Sequence, residues 1–109
     1  MRWPEKEEVL RALRIWAEDL GKKEPRILRV GYFGSLAEGG WGFGSDLDVV
    51  IIVEGVREPF WQRRRCFPAE GLPVPVDLLI YSPEEWRNLP ARKNWKVKWV
   101  YERSRLAQI

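Results

Sequence analysis

Gly34-Ser35-Leu36-Ala37-Glu38-Gly39-Gly40-Trp41-Gly42-Phe43-Gly44-Ser45-Asp46-Leu47-Asp48 decides the fold of this chain. A Gly-Ser turn is followed at a fixed interval by two carboxylates in an Asp-x-Asp pair, and the pair opens the β-branched run Leu47 to Val53. Residues two apart on a strand leave the same face, so Asp46 and Asp48 present their oxygens together, the ligand type that hard divalent cations prefer. A third acid, Asp77, lies inside the apolar run Pro75-Val76-Asp77-Leu78-Leu79-Ile80. Glycine clusters mark turns and Ser and Asp are ordinary turn residues, so either half alone describes only a hairpin. A carboxylate in a run that reads as a buried strand is costly without a partner or a metal, which argues independently for a cation.

Working outward, Pro4 and the acids Glu5, Glu7 and Glu8 open a helix whose apolar positions Val9, Leu13, Trp16 and Leu20 repeat at helical spacing, with Gly21 at its end. Ile27 to Phe33 predicts a first strand that delivers Gly34-Ser35 at its C-terminal end, and Leu47 to Val53 a second, antiparallel to the first. A short helix is expected around Phe60 to Cys66 and a third strand over Val74 to Tyr81. Ser82-Pro83-Glu84-Glu85 is a capping box with proline at the first helical position, starting a helix to about Leu89. Trp95, Val97, Trp99 and Tyr101 alternate with Lys96 and Lys98 as a closing strand, although Trp95, Trp99 and Glu102 also suit a helix.

At 109 residues the chain is expected to form one domain, residues 1–109, of α/β (α+β) class, with a small mixed sheet flanked by helices. No apolar run approaches the roughly 18 residues of a membrane span and no signal-peptide core is present, which predicts a cytoplasmic protein. The one cysteine, Cys66, excludes an internal disulfide, and the absence of histidine removes the usual general base and transition-metal ligand. Oxygen ligands remain. The net charge of +3 is mild and suits attraction to nucleotide phosphates, to RNA or to an acidic partner, with basic residues densest at Arg63 to Arg65 and at Arg92, Lys93, Lys96, Lys98, Arg103 and Arg105. Seven tryptophans exceed what one small core absorbs, so some are expected at an interface, and Trp41 in the motif loop is placed to stack on a nucleobase.

The spacing Gly34-Ser35, Gly39, Ser45-Asp46-x-Asp48 and a distant Asp77 resembles the minimal nucleotidyltransferases of the DNA polymerase β superfamily, whose pattern is Gly-Ser-x3-Gly-x5-Ser-Asp-x-Asp with a third Asp. One departure is Leu36, where many members carry a basic or aromatic residue. The resemblance implies the nucleotidyltransferase fold, two Mg²⁺ ions about 3.5–4 Å apart and ATP as substrate. It implies Asp46, Asp48 and Asp77 as catalytic metal ligands, with Asp77 also accepting the proton of an attacking hydroxyl, Gly34, Ser35 and Ser45 as nucleotide-binding residues, and a cation near the triphosphate, for which the triplet Arg63 to Arg65 is a candidate. It further implies a helical partner of the HEPN type encoded nearby, the two acting as antitoxin and toxin, with AMP placed on a hydroxyl of that partner; a homo-oligomer is compatible and nucleic acid is not expected. The alternatives are a non-enzymatic antitoxin scaffold and a small-molecule or antibiotic nucleotidyltransferase. Polymerase and tRNA-tailing relatives add binding domains for which this chain has no length.

Overall fold

The computed structural model describes residues 3–103, apart from the side chain of Arg92. The chain forms α1 (Lys6–Lys23), β1 (Ile27–Phe33), the one-turn α2 (Ser35–Glu38), β2 (Leu47–Val53), a 3₁₀ helix (Phe60–Cys66), β3 (Val76–Tyr81), α3 (Pro83–Arg87), α4 (Arg92–Trp95) and β4 (Lys98–Glu102). The strands make one mixed sheet in the order β3-β2-β1-β4, with β1 antiparallel to β2 and β4, and β2 parallel to β3. Parallel strands need a crossover connection, and residues 54–75 with the 3₁₀ helix supply it.

Strand β2 explains the architecture. All of its residues but Asp48 are buried, so it carries apolar side chains on both faces, as a central strand between two layers does. On one face Leu47, Val49, Ile51 and Val53 join Ile27, Val30, Tyr32, Leu78 and Ile80 beneath Val9, Leu13 and Ala17 of α1 and Leu36 of α2. Val50 and Ile52 are also buried but lie outside that cluster, on the opposite face. There α3 packs on β2 and β3, and a set of rings closes over the sheet: Trp86 lies 5.7 Å from Trp99 edge-on, 5.8 Å from Tyr81 and 5.8 Å from Trp95. Three of the surplus tryptophans thus build a second, aromatic layer. Of the others, Trp16 donates to the Pro68 carbonyl at 3.2 Å and Trp61 is exposed.

Four expectations change. α1 runs two residues beyond Gly21, because this glycine is a packing site: a Cβ there would enter the Tyr101 ring. β3 starts at Val76 rather than Val74, since Pro75 has no amide for the ladder and contributes only its carbonyl, which accepts from Leu47 N at 3.0 Å. The helix capped by Ser82 ends at Arg87, with both halves of the capping box formed. Trp95 ends a helical turn, which Lys96 terminates in the left-handed region (φ 52°), and the closing strand begins only at Lys98. Arg105 lies outside the described residues.

Arg63 is buried and joins the crossover to the sheet: its guanidinium donates to the Ile80 carbonyl at 3.1 Å and to both oxygens of Glu85 at 2.6 and 3.1 Å, and its Nε donates to the Glu58 carbonyl at 2.8 Å. The guanidinium, with the Ser82 amide, holds the Glu85 carboxyl down at about 2. A depressed acid contributes stability that is full above its unfolded value near 4.5 and is lost as pH falls toward 2. The Glu85 side chain is 43% exposed, so screening trims the contribution to on the order of 1 kcal/mol. Thermal unfolding is therefore expected to show a midpoint that falls between pH 4.5 and 2 more steeply in the parent than in Glu85→Gln, and parallel curves would refute the linkage.

Gly31 sits in β1 opposite Trp99 of β4, where a Cβ would lie 2.6 Å from Val97 Cγ1, 2.7 Å from Trp99 Cε3 and 3.0 Å from the Lys98 carbonyl oxygen. Gly31→Ala is expected to cost about 1–3 kcal/mol by overpacking and to lower the melting temperature by roughly 5–15 °C; an unchanged melt would show that β4 yields freely.

Candidate active site

The C-terminal end of β1 turns into the site at Gly34, whose backbone (φ 73°) is one that side-chain-bearing residues rarely adopt. A Cβ there would also run into the Asp48 Oδ2 oxygen. Glycine is required twice over, for its conformation and for the closeness of the second acid. One helical turn follows, in which the Gly34 carbonyl accepts from Ala37 N at 3.1 Å and Glu38 N at 2.9 Å, and the Ser35 carbonyl from Gly39 N at 3.1 Å and Gly40 N at 3.0 Å. Leu36 is buried in the core, so the position at which this chain departs from the motif faces away from the site.

The glycine-rich loop is tied at two points. Ser45 Oγ accepts from Gly42 N and Ser45 N donates to the Gly42 carbonyl, both at 3.0 Å, which closes a tight turn just before the acids. Trp41 is half-buried and donates its indole N–H to the Pro4 carbonyl at 3.0 Å, while Phe43 packs on Trp3 at 5.3 Å between ring centroids. Trp41 is thus anchored at its edge to the N-terminal segment and packs against the core.

Register brings the acids together. Asp48 is the partner of Phe33 in β1 and of Asp77 in β3, so Phe33, Asp48 and Asp77 form one row across three strands, on one face. Burial first, and then the neighbouring charges of Asp77 and Asp46, push the Asp48 carboxyl above its ordinary value. Asp77, which the sequence places in a buried strand, is exposed, because β3 is an edge strand and its acid lies at the open end of the row. The burial argument for a cation therefore moves from Asp77 to Asp48. Asp46 is exposed on the turn before β2. Among the described residues no three His, Cys, Asp or Glu side chains gather closely enough to hold an ion by themselves. The site nonetheless fits Mg²⁺: the donors are carboxylate oxygens, Asp48 is penalised for carrying its charge beside Asp77 and Asp46, and Mg²⁺ is commonly held by one or two carboxylates plus substrate phosphates.

Of the arginine triplet, Arg63 is committed to Glu85 and is not available to a triphosphate. Arg64 reaches the carbonyl of Val76, the residue before Asp77, at 3.5 Å and remains exposed. Sequence reasoning missed Phe33 and Trp95, which stack 4.7 Å apart with 14° between their planes at the β1 end of the acid row. The signal was present in Phe33 itself, the residue before Gly34, but Trp95 comes from a distant turn that only the fold brings near.

A family model of the nucleotidyltransferase domain matches residues 13–106. No curated protein matches the chain significantly. Among solved structures, the fold is similar to that of a candidate nucleotidyltransferase from Sulfolobus solfataricus, with a TM-score of 0.67 and 20% identity over 90% of this chain and 84% of that one. It is also similar to a chain of a toxin–antitoxin complex solved with AMP-PNP, with a TM-score of 0.57 and 17% identity over 84% of this chain and 75% of that one. No helix among the described residues is long and apolar enough to cross a membrane. With its Gly-Ser turn set against a row of acids on a mixed sheet, and a family match over nearly its whole length, the chain belongs to the nucleotidyltransferase domain family.

Proposed function

We propose that this nucleotidyltransferase moves AMP from ATP to a hydroxyl of a partner protein in the cytoplasm, in a Mg²⁺-dependent reaction, as the antitoxin of a toxin–antitoxin pair. The observation that carries the chemistry is the Asp48–Asp77 pair, side by side in parallel register, with the Gly34 backbone lying against Asp48. Asp46, Asp48 and Asp77 are the metal-holding acids, and Gly34, Ser35 and Ser45 form the phosphate side, where glycine lets the backbone approach a phosphoryl oxygen. When bound, Mg²⁺ neutralises charge that builds on the phosphoryl oxygens. The acceptor hydroxyl oxygen attacks the α-phosphorus, the bond from that phosphorus to the pyrophosphate oxygen breaks, and pyrophosphate leaves. Asp77 takes the hydroxyl proton, a role that its exposure on the edge strand supports.

Support for a protein acceptor comes from the open side of the site. Asp77 is exposed on the outermost strand of the sheet, with no further strand of the described residues beyond it, so the acceptor brings its own binding surface. The similar toxin–antitoxin chain supports a toxin as that partner, and a helical HEPN-type protein encoded nearby is the form proposed.

Asp48→Asn removes a ligand and relieves like-charge repulsion. It is expected to lower transfer from labelled ATP by about 100-fold or more while raising the melting temperature of the metal-free protein, and a folded variant of full activity would exclude the acid-row mechanism. Incubation with ATP, Mg²⁺ and the product of the neighbouring gene is expected to add the mass of one or more AMP groups to that partner; an unmodified partner beside a modified RNA end or small molecule would overturn the protein acceptor.

A further inference from the structure

The acid row does not end at Asp48. Across the sheet it continues to Phe33 in β1, and Trp95 lies flat on Phe33, with centroids 4.7 Å apart and planes 14° from parallel. Behind Trp95 stand Trp86 at 5.8 Å and Tyr81 at 6.3 Å, both tilted against it, so the indole is held from the rear by rings that belong to the aromatic layer. The backbone fixes it too: Lys96, directly after Trp95, is the one non-glycine residue with positive φ among the described residues. A conformation of that kind costs on the order of 1 kcal/mol and persists only where the surroundings enforce it. Phe33 and Trp95 both remain partly exposed.

The two ends of the row face different reactants. Asp77 is on the edge strand, toward the acceptor, whereas Phe33 immediately precedes Gly34 and Ser35, toward the phosphates. An aromatic surface at the β1 end therefore borders the nucleotide and not the hydroxyl it modifies. Trp41, the other ring placed by sequence beside the phosphates, is tied to the Pro4 carbonyl.

We propose that the Phe33–Trp95 stack is the base platform of this enzyme, on which the nucleobase of the incoming nucleoside triphosphate lies. The inference rests on the nucleotide-transfer reading and adds to it the residue that positions the base. A bare aromatic face reads a base by stacking, so it tolerates every base and favours the larger purines.

Calorimetric titration of the full chain with MgATP and, separately, with Mg²⁺-tripolyphosphate tests this without any acceptor. The parent protein is expected to bind MgATP at least fivefold more tightly than tripolyphosphate. Trp95→Ala is expected to weaken MgATP about tenfold with tripolyphosphate unchanged, and Trp95→Phe to recover most of the loss. Phe33→Leu keeps an apolar side chain on the strand and is expected to weaken MgATP alone, so the idea is tested even if Trp95→Ala does not fold. Equal affinity of the parent for the two ligands, equal losses for both in the variants, or unchanged MgATP binding in folded Trp95→Ala or Phe33→Leu would overturn the platform. A parent protein that bound neither ligand would overturn the nucleotide reading itself.

Discussion

The candidate site of this domain hangs on the register of one strand. β2 pairs with β1 on one side and β3 on the other so that Phe33, Asp48 and Asp77 stand in line. Because side chains alternate along a strand, a slip of a single residue between β2 and β3 would send one acid to the helical face and the other to the aromatic face. The slip is opposed from both sides. Leu47, Val49, Ile51 and Val53 would leave the core under α1, and Val50 and Ile52 would leave their cover of rings. Hydrophobic burial on two faces, the least directional of forces, thereby fixes the placement of two charges.

The same arrangement explains how a small sheet tolerates a half-buried carboxylate. Asp48 is raised above its ordinary value by burial and by its neighbours, which is a cost to the folded state above the acid's normal range. The cost is local, and it is borne by a strand whose other six residues are all buried. The aromatic layer adds stiffness at the same place: Trp86 touches Tyr81, Trp95 and Trp99, which tie α3, α4, β3 and β4 into one body behind the acid row.

Much of this was legible in the chain. β1 and β2 lie where alternating and β-branched residues put them, and the Ser82 capping box marks its helix, because each signal is local. The motif spacing led to the fold and to two acids that the sheet sets side by side, Asp48 and Asp77, yet the sequence misplaced the burden of burial: Asp77 is flanked by apolar residues but lies at a sheet edge, and edges are a property of topology. For the same reason Arg63 looked like one of three equivalent basic residues, when a partner 22 positions away takes it into the interior. The alternation through Trp95 suggested a strand, but one left-handed residue at Lys96 divides the segment, and nothing in its composition announces it.

The loop between α2 and β2 shows what the two ties at Trp41 and Ser45 accomplish. It contains Gly39, Gly40, Gly42 and Gly44, and glycine loses more freedom on ordering than any other residue. Left free, such a segment would keep roughly 1–2 kcal/mol of conformational entropy per residue until something else ordered it. The indole bond to the Pro4 carbonyl and the Gly42–Ser45 turn immobilise the loop at the moment of folding instead. That entropy is surrendered when the chain folds, and Pro4, distant in sequence from the acids, thereby helps to order the loop that leads to them.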